Sequence, residues 1–460
     1  MPNKIPTGCA GLDEVLMGGI PENTITVLIG APGTGKTLLA EQLAFANATP
    51  DAPVLYLTTL SEPLDKFIVH GQSHSFFDVA KVGVSVFYED LGLILRDAGI
   101  EKLADVVTEM LLQRSPRFVF IDSFKALTEL LVTSSERRTV VYDLASVLSA
   151  YQCTSFLVGE YSQENMTELP EFAIADVVIQ LIKYSTNVRE QRFLRVEKLR
   201  GSGSLPGMHA FSISAGGVDV FPRLLSPAVP PDYSPQVERL TSGISGLDRL
   251  VAEGFWRGST TLVAGPTGSG KTIMGLHFLT EGAAKGEHGL YVGFQENPAQ
   301  LAALMRSFGW PAQKLLNDGF ELRYQSPVEI QLDTVVSSLF QRIRDGKIKR
   351  VVIDALGDLE RSSIDSQRFS DFLYALTQWF AVRNVTCMMM YELPNLFEIH
   401  GISDQLVSNM SDNIVLLRFK EGAEMLRTLQ VIKTRGSAHD NREHELEITS
   451  KGAVVRKALK

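Results

Sequence analysis

Along the chain, short, predominantly apolar runs alternate with longer helix-like stretches. The runs fall near residues 25–29, 54–58, 118–121, 155–159 and 176–182, and again near 261–265, 290–293, 351–353, 386–391 and 413–418. A strand that is apolar throughout is buried on both faces, and its alternation with helices predicts a parallel sheet covered on both sides. The series occurs twice, so the expected fold class is α/β, built as two domains in tandem.

Two segments carry the first recognisable chemistry. GAPGTGKT at 30–37 and GPTGSGKT at 265–272 each follow an apolar run and open a helix-like stretch, the setting a phosphate-binding loop requires. Backbone N–H groups of such a loop cradle phosphate oxygens, a lysine neutralises the β and γ phosphates, and the next hydroxyl holds Mg2+. The residues read into this role are Gly30, Gly33, Thr34, Gly35, Lys36, Thr37 and Leu38. Their counterparts are Gly265, Thr267, Gly268, Ser269, Gly270, Lys271, Thr272 and Ile273. ATP and Mg2+ are the predicted ligands, with Thr37 and Thr272 on the metal.

Lys36 and Lys271 stand 235 residues apart, and the duplication extends well beyond them. The same interval relates Gly11, Leu12 and Asp13 to Gly246, Leu247 and Asp248, and Gly19 to Gly254. It also relates Lys198, Arg200 and Gly201 to Lys433, Arg435 and Gly436. FVFID and VVIDA follow at 232, and Asp176 and Asp412 at 236, so small loop insertions separate the copies. Segment 226–235, SPAVPPDYSP, is proline-rich and reads as a stiff connector. The expected organisation is a first domain over 1–225, this linker, and a second domain over 236–460.

Composition narrows the partners. A formal net charge of −9 removes any sequence-wide attraction to nucleic acid or an anionic membrane. With 45% hydrophobic and 21% charged residues, 460 residues can bury two sizeable cores. No apolar run approaches a membrane span and the start of the chain shows no secretory signal, so a cytoplasmic protein with no membrane partner is expected. Three cysteines make neither a disulfide framework nor a metal cluster; Cys153 and Cys387, each opening an apolar run, read as small buried hydrophobes, while Cys9 in the opening turn is uninformative.

Asp122 and Asp354 each end an apolar run, where a carboxylate emerges at the carboxyl end of a strand and can orient hydrated Mg2+. A second carboxylate, to position the attacking water, should come from a neighbouring strand end. Glu296 in LYVGFQENP fits, and is assigned to the metal's surroundings as well. In LYLTTLSEP the strict interval sets Ser61 opposite Glu296, and a one-residue bulge is needed to bring Glu62 there. The first domain is therefore expected to hydrolyse differently, or only to bind. Lys198 and Arg200, like Lys433 and Arg435, lie two apart in a strand-like segment and share a face. Two cations recurring together in both copies require an anion, and a finger reaching a neighbouring subunit's γ-phosphate would use such a pair.

On these residues the chain resembles the KaiC family of RecA-superfamily ATPases. The likeness spans almost the full length. It rests on the TxGxxGLD-type opening (7–13, and 241–248 with one extra residue), the paired phosphate loops, and FQENP where the family usually has two glutamates. The KLRGS and KTRGS strands, with His209 and His439 following, complete it. The resemblance implies two tandem RecA-like P-loop NTPase domains, each a mainly parallel sheet flanked by helices. It further implies a double-ring homohexamer with ATP at subunit interfaces, in which Lys198, Arg200, Lys433 and Arg435 act in trans.

The family's second domain also phosphorylates a pair of adjacent hydroxyl residues on itself. Anchored on the Asp412 strand, that pair falls at Ser408 and Asn409, with Ser403 and Ser411 flanking. Only Ser408 keeps a hydroxyl, and Gln295, in place of the first glutamate, removes a base that would activate it. The sequence ends at Lys460 without the long tail by which the clock protein engages its activator. An ATP-driven signalling switch with a serine autokinase is therefore expected in preference to a daily oscillator. Two other readings use the same fold. A RecA-type DNA-dependent ATPase would need basic, aromatic inner loops, whereas 161–171 and 392–411 are acidic or neutral, so nucleic acid is not an expected partner. A non-hydrolysing scaffold joined by ATP would account for Leu60, Ser61 and Gln295.

Overall fold

The structure, a computed structural model, describes residues 3–59, 64–185, 189–230, 233–234, 237–344, 347–393, 410–421 and 425–459. Leu60, Ser61, Glu62, Ser403, Ser408 and Asn409 lie outside the described residues. The chain divides into two compact units, Met1–Arg223 and Leu224–Lys460. In the second, Leu224 packs against a core cluster and the Tyr233 hydroxyl donates to the Ala381 carbonyl at 3.3 Å. No helix among the described residues is long and apolar enough to cross a membrane.

The first unit carries β1 (Ile25–Gly30), β2 (Val54–Thr58), β3 (Val86–Asp90), β4 (Phe118–Asp122) and β5 (Thr154–Gly159). They are followed by β6 (Val177–Ser185), β7 (Glu190–Leu199), β8 (His209–Ser214) and β9 (Gly217–Phe221). These form one sheet in the order β9-β8-β7-β6-β1-β5-β4-β2-β3. Strands β1 to β6 pair in parallel, and β7 to β9 extend the sheet antiparallel. Alternate residues of the central strands enter opposite cores. Leu28, Tyr56, Phe120 and Phe156 pack with Leu39, Leu43 and Phe45 of α1 (Lys36–Asn47). Val27, Leu55, Val119 and Leu157 pack instead with α2 (Leu103–Arg114) and α3 (Ser134–Ala150). Burial on both faces is why these strands read as unbroken apolar runs.

The second unit repeats the plan with β10 (Thr260–Gly265), β11 (His288–Gly293), β12 (Phe320–Tyr324), β13 (Ile348–Asp354) and β14 (Thr386–Glu392). It continues with β15 (Asn413–Lys420), β16 (Leu426–Thr434), β17 (His444–Thr449) and β18 (Gly452–Ala458). The order β18-β17-β16-β15-β10-β14-β13-β11-β12 is that of the first sheet, strand for strand. Helix α4 (Lys271–Ala284) covers one face; α5 (Leu332–Arg344) and α6 (Ser366–Val382) cover the other. Both sheets are thus mainly parallel and flanked by helices. All three cysteines are buried.

Small polar braces recur at the duplication interval. The Thr7 N–H donates to Asp13 Oδ1 and the Ser242 N–H to Asp248 Oδ1, both at 2.8 Å. This pairs Thr7 with Ser242, so the second opening holds no extra residue. The histidine that mirrors His209 is His444 at the start of β17, and His439 lies in the loop before it. In the first domain Gln42 of α1 ties the opening turn to the last hairpin. Its Nε2 donates to the Gly8 and Val218 carbonyls at 3.1 and 3.2 Å, and its Oε1 accepts from the Val218 N–H at 2.7 Å. His277 of α4 holds the same place: its Nε2 accepts from the Ala453 N–H at 2.9 Å, and the ring also bonds to the Gly243 backbone.

Candidate functional site

Each phosphate loop leaves the carboxyl end of a central strand and turns into a long helix, β1 into α1 and β10 into α4. The turn needs positive φ at Gly33 (70°) and Gly35 (99°), and at Gly268 (77°) and Gly270 (106°), where a side chain would be strained. Thr34 and Ser269 are buried and staple the loops. Thr34 Oγ1 donates to the Ala31 carbonyl at 2.9 Å and Ser269 Oγ to the Pro266 carbonyl at 2.7 Å. Lys36 and Lys271 begin the helices, so an ammonium coincides with the positive helix end, the setting that receives anions. Lys36 Nζ donates to the Ala31 carbonyl at 2.9 Å. Lys271 Nζ donates to the carbonyls of Gly265 at 2.9 Å and Pro266 at 2.8 Å. Burial pulls both lysines below the ordinary value, and nearby carboxylates oppose it.

Strands β4 and β13 deliver Asp122 and Asp354 to the same place. Thr272 Oγ1 donates to Asp354 Oδ2 at 2.7 Å, and the Thr37 side chain bonds to Asp122. A tyrosine on the neighbouring strand completes each set. The Tyr291 hydroxyl donates to Asp354 Oδ2 at 2.7 Å and the Tyr56 hydroxyl to Asp122 Oδ2 at 3.3 Å. In the first domain the rings of Tyr56, Phe120 and Phe156 stack across three adjacent strands, with centroids 5.4 and 4.4 Å apart, and so fix that hydroxyl. Burial raises both aspartate carboxyls, while these hydroxyls and the lysine lower them. Burial also pushes both tyrosines well up, which keeps them protonated donors.

A hydroxyl beside a carboxylate, with room left for phosphate oxygens and water, suits a hard cation such as Mg2+ that takes few protein ligands. Among the described residues no group of three or more His, Cys, Asp or Glu is placed to hold a metal by itself. In the first domain Lys36, Thr37 and Asp122 line a cleft of about 700 Å3 together with Thr59, Lys125 and Glu160.

Glu296 follows β11 and is half-buried. Burial raises its carboxyl, helped next by the charge of Asp354. Gln295 turns to Asp358, donating from Nε2 at 3.2 Å, and Arg361 pairs with the same carboxylate at 2.5 Å. The first domain's Glu62 lies outside the described residues, as does Ser408, the expected phosphosite. Ser411 is buried. Two carboxylates had gone unread in the sequence. Glu160 Oε1 lies 4.0 Å from Lys36 Nζ, and Glu392 accepts from the Thr267 hydroxyl. They recur at the same 232 interval as Asp122 and Asp354, and Tyr56 and Tyr291 recur at 235. Identity preserved at the repeat interval was the signal that would have found all four.

The structure does not bring the paired cations to their own phosphate loops. Lys198 Nζ donates to the Phe172 carbonyl at 2.9 Å and Lys433 Nζ to the Ser411 carbonyl at 2.8 Å. Burial pulls both below the ordinary lysine value. Arg200 and Arg435 sit in the turn just past β7 and β16, mostly exposed, and pair with Asp176 at 3.5 Å and Asp412 at 3.3 Å. Those aspartates also accept the backbone N–H of Ile25 at 3.2 Å and Thr260 at 3.0 Å, the first residues of β1 and β10. The cations therefore stand at the amino end of the strand whose carboxyl end bears the phosphate loop, a separation of roughly 20 Å.

Residues 5–224 and 240–460 each match the KaiC ATPase family. The circadian clock oscillator protein KaiC of Picosynechococcus is 28% identical over 478 aligned residues, covering 99% of this chain and 90% of that protein. The protein of that name from Thermostichus vulcanus is 29% identical over 471 residues, with the same coverage of both chains. The one from Synechococcus elongatus is 27% identical over 477 residues, covering 99% and 90%. With the phosphate loop, its helix and its strand-end aspartate built on each of two sheets of the same strand order, the chain belongs to the KaiC family of ATPases.

Proposed function

We propose that this chain is a cytoplasmic, ATP-hydrolysing homohexamer with nucleotide at its subunit interfaces, whose second domain phosphorylates its own Ser408 and which works as a signalling switch. The observation that carries the reading is the hydroxyl–carboxylate pair beside a buried lysine, Thr37 with Asp122 and Thr272 with Asp354, built alike in both domains. Loop N–H groups and the helix end bind the phosphates, and Lys36 and Lys271 exchange their carbonyl partners for phosphate oxygens. Mg2+ would rest on Thr37 and Thr272 with Asp122 and Asp354 orienting its water, and when bound it neutralises charge on the phosphoryl group in transfer.

Glu296, once ionised, takes the proton of the attacking water or of the Ser408 hydroxyl. In the autokinase step a bond forms from Ser408 Oγ to the γ-phosphorus, the bond to the bridging oxygen breaks, and ADP leaves. Lys198, Arg200, Lys433 and Arg435, turned away from their own loops, would serve the phosphates of a neighbouring subunit.

Peptide and intact-mass spectrometry after incubation with Mg·ATP tests the reading, with ADP release followed in parallel for the parent, Lys271→Ala and Ser408→Ala. Phosphate on Ser408 that vanishes in both variants is the expected result. ADP release without phosphate would remove the autokinase and keep the ATPase; absence of both ADP and phosphoserine would sink the proposal.

A further inference from the structure

We infer that Lys125 is a second cationic ligand for the terminal phosphate in the first domain, and that it lessens this domain's need for Mg2+. This rests on reading the first domain's cleft as a nucleotide site. Lys125 lies on the short helix Phe124–Thr128, directly after Asp122, and lines the cleft with Lys36, Thr37 and Glu160. Its place exists because residue 159 is glycine. A Cβ there would come within 3.0 Å of Lys125 Cβ and 2.3 Å of the Tyr161 ring.

In the second domain the two sizes are exchanged. The 232 interval that relates Asp122 to Asp354 sets Gly357 opposite Lys125 and Tyr391 opposite Gly159. Tyr391 is buried, and its hydroxyl donates to Glu360 at 3.2 Å. The next helix position gains a negative charge. Ala126 is replaced by Asp358, which is buried between Gln295 and Arg361. Each domain thus keeps an ion pair on this helix with its polarity exchanged: Lys125 with Glu129 in the first, where both line the cleft, and Asp358 with Arg361 in the second.

Lys125 is loosely held where it stands. Its Nζ pairs with Glu129 at 3.3 Å, one turn along the helix, and that carboxylate is 57% exposed. The Nζ also lies 5.7 Å from the Tyr161 ring centroid. An exposed pair of this kind is weaker than a charge-assisted hydrogen bond to phosphate in a partly buried cleft, so a triphosphate would draw the ammonium away from Glu129. Because the helix starts beside Asp122, at the metal end of the cleft, the contact falls on the terminal phosphate and not on the base.

Isothermal titration of the full chain carrying Lys271→Ala, which confines nucleotide to the first domain, decides the matter with ATP and ADP as probes, in Mg2+ and in EDTA. Lys125→Met should weaken ATP binding in EDTA about tenfold and ADP binding by less than about twofold, and Lys125→Arg should stay within about threefold of the parent. Melting temperatures of the variants report that the fold is kept. ATP affinity in EDTA unaffected by Lys125→Met, or an equal loss for ATP and ADP, overturns the inference. A Lys271→Ala protein that binds no ATP even with Mg2+ overturns the nucleotide reading of this domain itself, a failure visible before Lys125 is changed.

Discussion

At the joint between the phosphate-loop helix, the opening turn and the last hairpin, the first domain uses an amide, Gln42, and the second an imidazole, His277. Both reach the same backbone positions, 235 residues apart. Only one of them titrates, and burial pushes His277 down to about 4 from its ordinary 6.5, so the fold holds it neutral until the pH becomes acidic. The rim of the site repeats the lesson, with Lys125 in one domain and Asp358 in the other. Duplication has preserved what the backbone needs, namely a buried polar group of the right reach, and has let charge diverge where the backbone is indifferent.

The largest test of this comparison asks whether both sites are completed from outside. Arg200→Ala and Arg435→Ala should each lower turnover at a neighbour's site by about a thousandfold, as loss of an arginine finger does. The same changes should shift thermal stability by less than about 0.5 kcal/mol, since both ion pairs are exposed and screened. A variant that melts early but turns over normally would break the trans assignment.

Next comes Glu296→Gln, measured with Lys36→Ala to silence the first domain. Turnover should fall about a hundredfold or more. In the parent, burial holds the Glu296 carboxyl above its ordinary value, so activity is lost on acidification at a higher pH than for an exposed glutamate, and recovered as pH rises through that value. The pH–rate profile of the Gln variant should lack this limb. With Lys271→Ala isolating the first domain instead, a different acid limb is expected.

The smallest effect lies in the braces. His277 is neutral in the folded state and its folded value is depressed, so the unfolded chain binds more protons between about 4 and 6.5. The stability it supports is complete above that window and is lost as pH falls through it. His277→Gln, which copies the first domain, should recover on the order of 2 kcal/mol at the acid end of the window and little at neutral pH. Urea denaturation followed at several pH values checks it, and equal acid sensitivity in parent and variant would erase the distinction between the domains.

The central sheet was legible because β1, β4, β5 and their repeats are buried on both faces and so leave continuous apolar runs. The edge strands β3 and β12 were not: each has a single buried residue, Val86 and Phe320, and neither continuous nor alternating character. The phosphate loops and the strand-end aspartates could be read because their parts are contiguous in sequence. Tyr56, Tyr291, Glu160 and Glu392 join the site by lying on neighbouring strands, a proximity that local pattern does not record. Lys125 was hidden for a further reason. Its meaning depends on Gly159, which makes room for it from another strand.

Asp176 and Asp412 each hold a strand's first N–H and an arginine at once, so each of these strands has a phosphate loop at its head and an arginine at its foot. On the proposed trans arrangement, a protomer does not complete its own sites. In an open row of such protomers, the two loops at one end would lack fingers and the two arginines at the other end would have no loops to serve. Joining the ends would complete those last two sites without adding a subunit, so saturating nucleotide would itself reward closure, and a ring losing nucleotide would be expected to open at the emptied seam.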